Sequence, residues 1–233
     1  MRFPLSLALA ALLASASATA APAAAPTPVA PAKTAAYKEG VNYQPVLPAQ
    51  PTSVAPGQIE VIDFFWYSCP HCFELEPYLE IWERSKPKDV VLKFVPAIVR
   101  PEAEAGARAY YVAEALGILD KAHEAIYNDI HIKHEMAGTT EADYERFFGA
   151  NLGVSAKQFE STWGSPAVNA KVDQARVLAA RYGVLSADGG VPTLAVNGKW
   201  ITGGGYGLAY SQIMQVVNYL VQQEQAAVPS SVK

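Results

Sequence analysis

The sequence of 233 residues predicts an α/β domain that is divided by a helical insertion. An apolar strand, an amphipathic helix and a second apolar strand follow one another between residues 59 and 96, and this βαβ pattern predicts parallel neighbouring strands. The pattern is helical from 101 to 182, and β signals return at Val191. The predicted parts are the first part of the domain at 37–100, the insertion at 101–185 and the second part of the domain at 186–225.

The first 36 residues have the composition of an export leader and a tether. A charged start, an apolar segment at residues 5–13 and the sequence Ala18-Thr19-Ala20 predict a signal peptide at 1–20. The apolar segment is too short to span a bilayer, which needs ~20 residues. Residues 21–36 are mostly Ala and Pro and predict a flexible segment. We therefore expect a soluble exported protein, with a disordered tail at 226–233.

The charge of the chain argues against nucleic-acid binding. The formal net charge is −4 at pH 7, and loss of Arg2 with the leader makes it one unit more negative. The sequence contains no basic stripe, which is the usual footprint of a nucleic-acid-binding protein. We therefore expect no nucleic-acid partner.

The central strand is predicted at residues 59–67 and contains an acid. Asp63 shares a face with Phe65 because side chains alternate along a strand. A buried carboxylate must be paired or neutralised, which makes Asp63 a candidate functional residue. The alternative is an edge strand with Asp63 facing solvent. The second strand, at 90–96, contains Lys93, which by itself fits a solvated charge at a strand end.

Capping signals divide the insertion into four or five helices. Pro101 can begin the first of them, because proline is tolerated in the first helical turn. Helix N-caps are predicted where a hydroxyl side chain precedes helical spacing, at Thr140, Ser155 and Ser165.

A β-hairpin is predicted after the insertion. Asn197-Gly198 is the commonest signal for a type I′ turn, and it joins strands at 191–196 and 199–202. Pro192 opens the first of these strands, where its missing N–H is not needed for the ladder. Residues 208–221 then have the spacing of a final amphipathic helix.

The two cysteines of the chain stand in the sequence Cys69-Pro70-His71-Cys72, between the central strand and the helix that follows. Cys69 is predicted at the helix N-cap with Pro70 at the first helical position, so the first-turn amides and the helix dipole stabilise its thiolate. A protonated His71 adds a positive charge that lowers the pKa of Cys69, whereas Cys72 lies one turn inward and is shielded. An exposed acidic thiol beside a buried thiol is suited to thiol–disulfide exchange.

A structural disulfide is the alternative use of these cysteines in an oxidising compartment. A bridge across two residues closes almost no loop, and the entropic stabilisation from a disulfide grows with loop length. The pair therefore indicates a redox function.

The strand and motif Phe-Phe-Trp-Tyr-Ser-Cys-Pro-His-Cys, followed by Phe-x-x-Glu, resemble the DsbA family of bacterial periplasmic thiol:disulfide oxidases. The resemblance covers roughly residues 37–225 and implies a thioredoxin-like fold with an inserted helical domain. It also implies that Val191-Pro192-Thr193 is a cis-proline loop and that Lys93 lies near the buried acid. This acid is a glutamate in the best-known member and Asp63 in this sequence.

The resemblance implies that the protein donates a Cys69–Cys72 disulfide to the cysteines of newly exported proteins. A mixed disulfide forms at Cys69, and a cis Pro192 packed against the cysteines lets an extended client add as a strand. Asp63 and Lys93 are assigned to proton handling at Cys72. No cofactor or metal is expected beyond the redox-active disulfide.

The resemblance also implies a compartment and partners. The expected compartment is the periplasm, and the expected clients are folding exported proteins with free thiols. A membrane quinone-linked oxidase is expected to regenerate the disulfide. The protein itself is expected to be a monomer.

Three alternatives remain open from the sequence. The protein could be an exported reductase or isomerase of the same fold, although the Ala/Pro segment is too poor in apolar residues to be an isomerase's dimerisation domain. It could carry copper or zinc on Cys69, Cys72 and a histidine. It could bind folding clients while its disulfide is incidental.

Two other parts of the chain carry weaker signals. A group of potential metal ligands consists of His123, Glu124, His131, His134 and Glu135. Its spacing matches no zinc motif, so metal binding is not expected there. Residues 203–207 are rich in glycine but lack the spacing of a phosphate-binding loop, and a flexible loop near the active-site surface is expected instead.

Overall fold

The structure is a computed structural model that describes residues 37–227. The predicted signal peptide and Ala/Pro segment lie outside these residues, as do residues 228–233 of the predicted tail. The described part forms a five-stranded sheet with apolar clusters on both of its faces.

The sheet has the strand order β1-β5-β4-β2-β3. Its strands are β1 at Gln44–Pro45, β2 at Ile59–Phe65, β3 at Val90–Pro96, β4 at Thr193–Val196 and β5 at Trp200–Gly203. β2 and β3 are parallel, as the βαβ pattern predicts, and the other neighbours are antiparallel. Because β2 is paired on both sides and buried along its whole length, the edge-strand alternative for Asp63 is excluded.

Seven α-helices are present in the described residues. The helix α1, Pro70–Ser85, connects β2 to β3. The insertion between β3 and β4 contains α2 at Ala103–Ala115, α3 at Leu119–Asn128, a π-helical turn at Asp129–Lys133, α4 at Glu141–Leu152, α5 at Ala156–Trp163 and α6 at Pro166–Arg181. The last helix, α7, is Tyr210–Ala227.

The local signals of the sequence have their predicted effects. Thr140, Ser155 and Ser165 are the N-caps of α4, α5 and α6, and each side chain accepts a hydrogen bond from a first-turn amide. Asn197 and Gly198 both have positive φ, at 52° and 70°, as a type I′ turn requires. The insertion begins differently, because α2 starts at Ala103 and not at Pro101.

The helix α7 extends past its predicted end, to Ala227. The residues after Val221 are good helix formers, and Glu224 gives this end of the helix a tertiary anchor. Its carboxylate accepts hydrogen bonds from Asn197, Lys199 and Trp200 in the hairpin, at 2.6–2.9 Å. The predicted tail therefore starts two residues too early.

Two layers of helices bury the two faces of the sheet. The first face packs against α1 and α7, with Leu75, Leu79 and Val217 in its core. Trp82 of α1 also donates a hydrogen bond to Asn218 of α7 at 2.7 Å. The insertion covers the other face, and its residues pack on Phe64.

The predicted pairing of Lys93 with Asp63 is wrong. In the parallel ladder Lys93 is opposite Ile62, and the partner of Asp63 is Phe94. Since side chains alternate along a strand, Lys93 points to the face opposite to Asp63. Its Nζ atom lies 3.1 Å from Oε1 of Glu60, a residue that is only 2 % exposed. The buried acid that pairs with the lysine is therefore Glu60.

Replacing Lys93 tests this assignment. Lys93→Met leaves the buried Glu60 carboxylate with donors from Ser53 only, and we expect the free energy of unfolding to fall by about 1–3 kcal/mol. Denaturant unfolding measures this loss, with Lys88→Met as an exposed control. The reduction potential of the cysteine pair should stay unchanged, and a shifted potential with unchanged stability would contradict the assignment.

Candidate active site

Cys69 lies where the carboxyl end of β2 meets the start of α1. It is the N-cap residue of α1, with extended φ and ψ of −85° and 116°, and Pro70 occupies the first turn. The Cys69 carbonyl accepts hydrogen bonds from the amides of Cys72 and Phe73, at 3.1 and 3.2 Å. The sequence prediction for this junction is confirmed.

The cis-proline loop lies against Cys69. The Val191–Pro192 bond is cis, as predicted, and the Cys69 Sγ atom lies 3.7 Å from the Val191 carbonyl oxygen. Both cysteines are free thiols, and Cys69 is 8 % exposed against 2 % for Cys72. Cys69 is therefore more exposed than Cys72, as predicted, but it is less exposed than expected, because the Val191 segment covers part of its sulfur.

The two thiols have opposite pKa shifts. The pKa of Cys69 is lowered to about 6, first because the Cys72 thiol donates a hydrogen bond to its sulfur. Amides of Cys72 and His71 and the His71 charge add to this effect, and burial opposes it. Burial raises the pKa of Cys72 well above its usual value, and its hydrogen bond to Cys69 adds to the increase. The pair therefore contains a stabilised thiolate and a thiol that keeps its proton.

The His71 ring is held at the mouth of the site by α7. Its Nδ1 atom lies 3.0 Å from the Tyr210 hydroxyl and 3.4 Å from Oε2 of Glu74. Tyr210 donates its hydroxyl proton to the same carboxylate oxygen, which lowers the pKa of Glu74. Sequence reasoning missed Tyr210, which is 139 residues from His71 in the chain.

Asp63 lies beneath the cysteines and is 1 % exposed. Its pKa is raised well above the usual range, mainly by burial and then by the negative charges of Glu76 and Cys69. Burial and these neighbouring charges therefore favour the protonated form of Asp63. Since Lys93 points away from it, the charged side chain that acts on Asp63 from α1 is Glu76, which sequence reasoning missed. Glu76 in turn contacts His123, which the sequence offered only as a potential metal ligand.

Glu76 and His123 face each other across α1 and α3. Oε1 of Glu76 lies 3.5 Å from Nε2 of His123, and the other ring nitrogen, Nδ1, shares a 2.9 Å hydrogen bond with the Tyr67 hydroxyl. Glu76 could have been found from the sequence, because it is one helical turn after Cys72. No local signal points to His123, which approaches the site only through the fold of the insertion.

Hydrogen bonds and a ring stack connect the insertion to the loop that precedes Cys69 and to the start of α1. Nε2 of His131 lies 2.7 Å from the Tyr67 carbonyl oxygen, and its ring stacks on Phe73 at 4.8 Å. The Ser68 hydroxyl donates to the Ala137 carbonyl at 2.9 Å. These contacts fix the position of the loop relative to α1.

A cleft of about 790 Å³ adjoins the cis-proline loop. Its lining includes Val191, Pro192, Gly203 and Tyr206, together with Leu47 beside β1. The glycine-rich residues 203–207 contain a 3-10 turn, Gly204–Tyr206, that borders this cleft. The amide of Gly204 donates to the Pro192 carbonyl at 3.2 Å, which ties the turn to the proline.

The described part of the chain, residues 37–227, offers neither a cluster of metal ligands nor a membrane-spanning helix. The described residues contain no group of three or more His, Cys, Asp or Glu side chains placed to hold a metal ion. No helix among them is long and apolar enough to cross a membrane.

Comparison with known proteins relates the chain to one family. A family model described as a DSBA-like thioredoxin domain matches residues 83–207. The thiol:disulfide interchange protein DsbA of Burkholderia cepacia is 36 % identical over 197 residues, which cover 84 % of this chain and 90 % of that protein.

Solved structures give the same result. The crystal structure of DsbA from Pseudomonas aeruginosa matches with a TM-score of 0.72 and 31 % identity, over 82 % of this chain and 96 % of that chain. The structure of the oxidoreductase DsbA from Xylella fastidiosa matches with a TM-score of 0.74 and 30 % identity, over 82 % of this chain and 99 % of that chain.

The Cys69 pKa predicts how the stability of the reduced protein depends on pH. A pKa that falls from 9.0 in the unfolded chain to about 6 in the folded one stabilises the reduced form fully above pH 9, and this stabilisation disappears as the pH falls through about 6. The oxidised form has no Cys69 thiol that could titrate. Thermal unfolding of both forms should therefore show the reduced form losing stability relative to the oxidised form between about pH 9 and pH 6. A constant difference would contradict the lowered pKa.

Gly203 has no room for a side chain. A Cβ atom there would lie 2.3 Å from the Pro192 carbonyl oxygen, and its φ of 152° disfavours other residues. We expect Gly203→Ala to displace the proline loop, to lower the free energy of unfolding by about 1–3 kcal/mol and to slow the oxidation of a dithiol peptide. Gly205→Ala is the matched control, because nothing lies within 4 Å of its added Cβ. Equal behaviour of the two variants would refute this role of Gly203.

Proposed function

The chain belongs to the DsbA-like thioredoxin family of thiol:disulfide oxidoreductases, and we propose that it donates the Cys69–Cys72 disulfide to the thiols of exported proteins. The observation that carries this proposal is the position of Cys69. Its sulfur is at the N-terminus of α1, between the Cys72 thiol behind it and the Val191 carbonyl in front.

The reaction takes place in two exchanges. A client thiolate attacks the Cys69 sulfur of the disulfide, and Cys72 leaves and takes up a proton. A second client thiolate then attacks the client sulfur of the mixed disulfide, and Cys69 leaves as a thiolate. The client loses two electrons and becomes a disulfide, and the cysteine pair gains them.

The environment of the thiols favours oxidation of the client. The donors around Cys69 stabilise the thiolate that forms in the second exchange, so the reduced protein is low in energy and its disulfide is a strong oxidant. Pro70 supports this by leaving the amides of His71 and Cys72 directed at the sulfur. His71 adds its charge, and Glu74 and Tyr210 hold its ring in place.

The cis-proline loop is the proposed docking point for the client. An extended client segment can pair with the exposed backbone at Val191 and so bring its sulfur to Cys69. The adjoining cleft would take up client side chains next to that segment. Proton handling at Cys72 is assigned to Asp63, and Lys93 has no part in it.

The compartment and the partners are also part of the proposal. The leader and the family relationship support the periplasm as the place of action. The clients are exported proteins with free thiols, and a membrane quinone-linked oxidase would restore the disulfide. The protein would act as a monomer, with no cofactor besides the disulfide.

The reduction potential of the pair tests the direction of the reaction. Equilibration with glutathione buffers should give a value near the ~ −120 mV known for DsbA itself, and far above the ~ −270 mV known for thioredoxin. His71→Ala should lower the potential by roughly 30 mV for each unit by which the Cys69 pKa rises, and His134→Ala is an exposed control. A wild-type value near that of thioredoxin would favour the reductase alternative and overturn the proposal.

A further inference from the structure

We propose that His71 accepts the proton of the client thiol that attacks Cys69, and that Glu74 and Tyr210 position the imidazole for this step. The inference deepens the proposed function and rests on it. His71 is then a catalytic residue, because its ring meets the reacting thiol. Glu74 and Tyr210 are positioning residues, because they act through the ring.

The client thiol needs a proton acceptor before it can attack. The thiolate is the nucleophile in thiol–disulfide exchange, and an ordinary cysteine thiol has a pKa of about 8.5. Only about 3 % of such a thiol is ionised at about pH 7, so a base at the site can raise the rate of attack by up to about 30-fold. The client approaches from solvent, and the acceptor must therefore lie at the mouth of the site.

His71 lies at this mouth. It is the second residue of α1, its amide is directed at the Cys69 sulfur, and its side chain is 72 % exposed. Cys72 is buried behind the Cys69 sulfur, so a client sulfur reaches Cys69 from the exposed side, where the imidazole lies. Histidine is also the residue type whose ordinary pKa suits proton exchange near neutral pH.

The contacts of the His71 ring determine which of its nitrogens is free. Nδ1 lies 3.0 Å from the Tyr210 hydroxyl oxygen and 3.4 Å from Oε2 of Glu74. Tyr210 donates its own proton to Glu74, so both oxygens next to Nδ1 are acceptors and Nδ1 carries the ring proton. The lone pair of the neutral ring is then on Nε2, which has no hydrogen-bond partner within residues 37–227.

Glu74 gives the imidazole the partner that a base requires. Enzymes that activate a nucleophile commonly use a histidine that is oriented by a carboxylate on its other nitrogen. Hydrogen bonds from Tyr210 and His71 lower the pKa of Glu74, so its carboxylate is an anion at neutral pH. An anion that accepts from Nδ1–H stabilises the imidazolium that forms when Nε2 takes up a proton.

Tyr210 anchors this cluster to α7. It is the first residue of that helix, and its ring lies 5.9 Å from the ring of Tyr78 on α1. The Gln212 side chain accepts a hydrogen bond from the Ala209 amide at 3.0 Å, which fixes the start of the helix. Burial and the hydrogen bond to Glu74 raise the pKa of Tyr210 to about 12, so its hydroxyl keeps the proton that it donates to Glu74.

The alternative is that His71 acts through its charge alone. The titratable groups that face its ring are Cys69 and Glu74 of α1 and Tyr210 of α7, and His131 of the insertion has a smaller effect on Glu74. In a pure charge effect, Glu74 repels the client thiolate, so removing this carboxylate speeds the attack. If Glu74 positions a base, removing it slows the attack. The two roles therefore predict opposite signs.

Atoms and electrons balance in the first exchange. The S–H bond of the client breaks, and its proton goes to Nε2 of His71. The client sulfur forms a bond to the Cys69 sulfur, and Cys72 leaves with the electron pair of the broken disulfide. The imidazolium then lies beside Cys69 when this residue leaves as a thiolate in the second exchange, and the exposed ring returns its proton to water.

The experiment compares two uncharged thiols that differ in acidity. Oxidised protein is mixed with an excess of N-acetylcysteine amide, or of the more acidic 2,2,2-trifluoroethanethiol, at about pH 6–9.5. The reaction is stopped with acid, and the remaining oxidised protein is quantified by mass spectrometry.

The variants remove one contact of the ring at a time. They are Glu74→Gln and Tyr210→Phe. Glu80→Gln is the matched control for the acid, because it lies on the same helix and pairs with Arg84. Tyr78→Phe is the matched control for the hydroxyl, because this exposed tyrosine only stacks on Tyr210.

We expect Glu74→Gln to react about three- to tenfold more slowly than wild type with N-acetylcysteine amide at about pH 7, which is within the ~30-fold limit that the thiol pKa sets. Tyr210→Phe should be slower by at least about twofold, and both controls should react at the wild-type rate. The losses should shrink above about pH 9, where solvent ionises the thiol. They should also shrink at about pH 7 with trifluoroethanethiol, which has less need of a base.

Three results would overturn the role of His71 as a base. One is an unchanged or faster reaction of Glu74→Gln at neutral pH. Another is an equal loss with both thiols at every pH, which indicates a charge or structural effect. The third is the same loss in the Glu80→Gln and Tyr78→Phe controls. If Tyr210→Phe does not fold, Glu74→Gln decides, since its side chain is 53 % exposed.

Failure of the proposed function gives different results. A wild-type disulfide that neither thiol reduces would contradict that function, and the base would fall with it. A reduction potential near that of thioredoxin would overturn only the oxidising direction. The comparison of the two thiols would then still decide whether His71 accepts the proton, because a base speeds the attack of a thiol on the Cys69 sulfur in either case.

Discussion

The stabilisation of the Cys69 sulfur at the N-terminus of α1 is the interaction on which the rest of the site depends. A thiolate at this position receives the Cys72 thiol, two backbone amides and the charge of His71. The same geometry places Cys72 one turn further along α1, where it is buried and keeps its proton. One helix terminus thus creates the asymmetry between the thiols.

The register of the parallel strands β2 and β3 decides which buried acid pairs with Lys93. Lys93 is opposite Ile62 in the ladder, so it shares a face with Glu60 and not with Asp63. A shift of one residue would have reversed this arrangement. The acid beneath the cysteines is consequently left without a cation from β3. Its environment is set instead by burial and by the negative charges of Glu76 in α1 and of Cys69.

The sequence was most informative where the signals were local. The βαβ pattern, the hydroxyl caps of the insertion and the Asn197-Gly198 turn each depend on a few neighbouring residues, and all have their predicted structure. The start of α1 at the cysteine motif was predictable for the same reason. Contacts between distant segments were not predictable, because they depend on tertiary packing. Examples are the contact of the Val191 carbonyl with the Cys69 sulfur, the hydrogen bond between Tyr210 and His71, and the contact of His123 with Glu76.

The first strand also bears on how the edge of the sheet meets other extended chains. β1 forms one edge of the sheet, is only two residues long and contains Pro45, which has no N–H to offer to another strand. Short edges with proline are a recognised protection against intermolecular strand pairing and aggregation. This edge therefore offers few free backbone groups with which another extended polypeptide could pair.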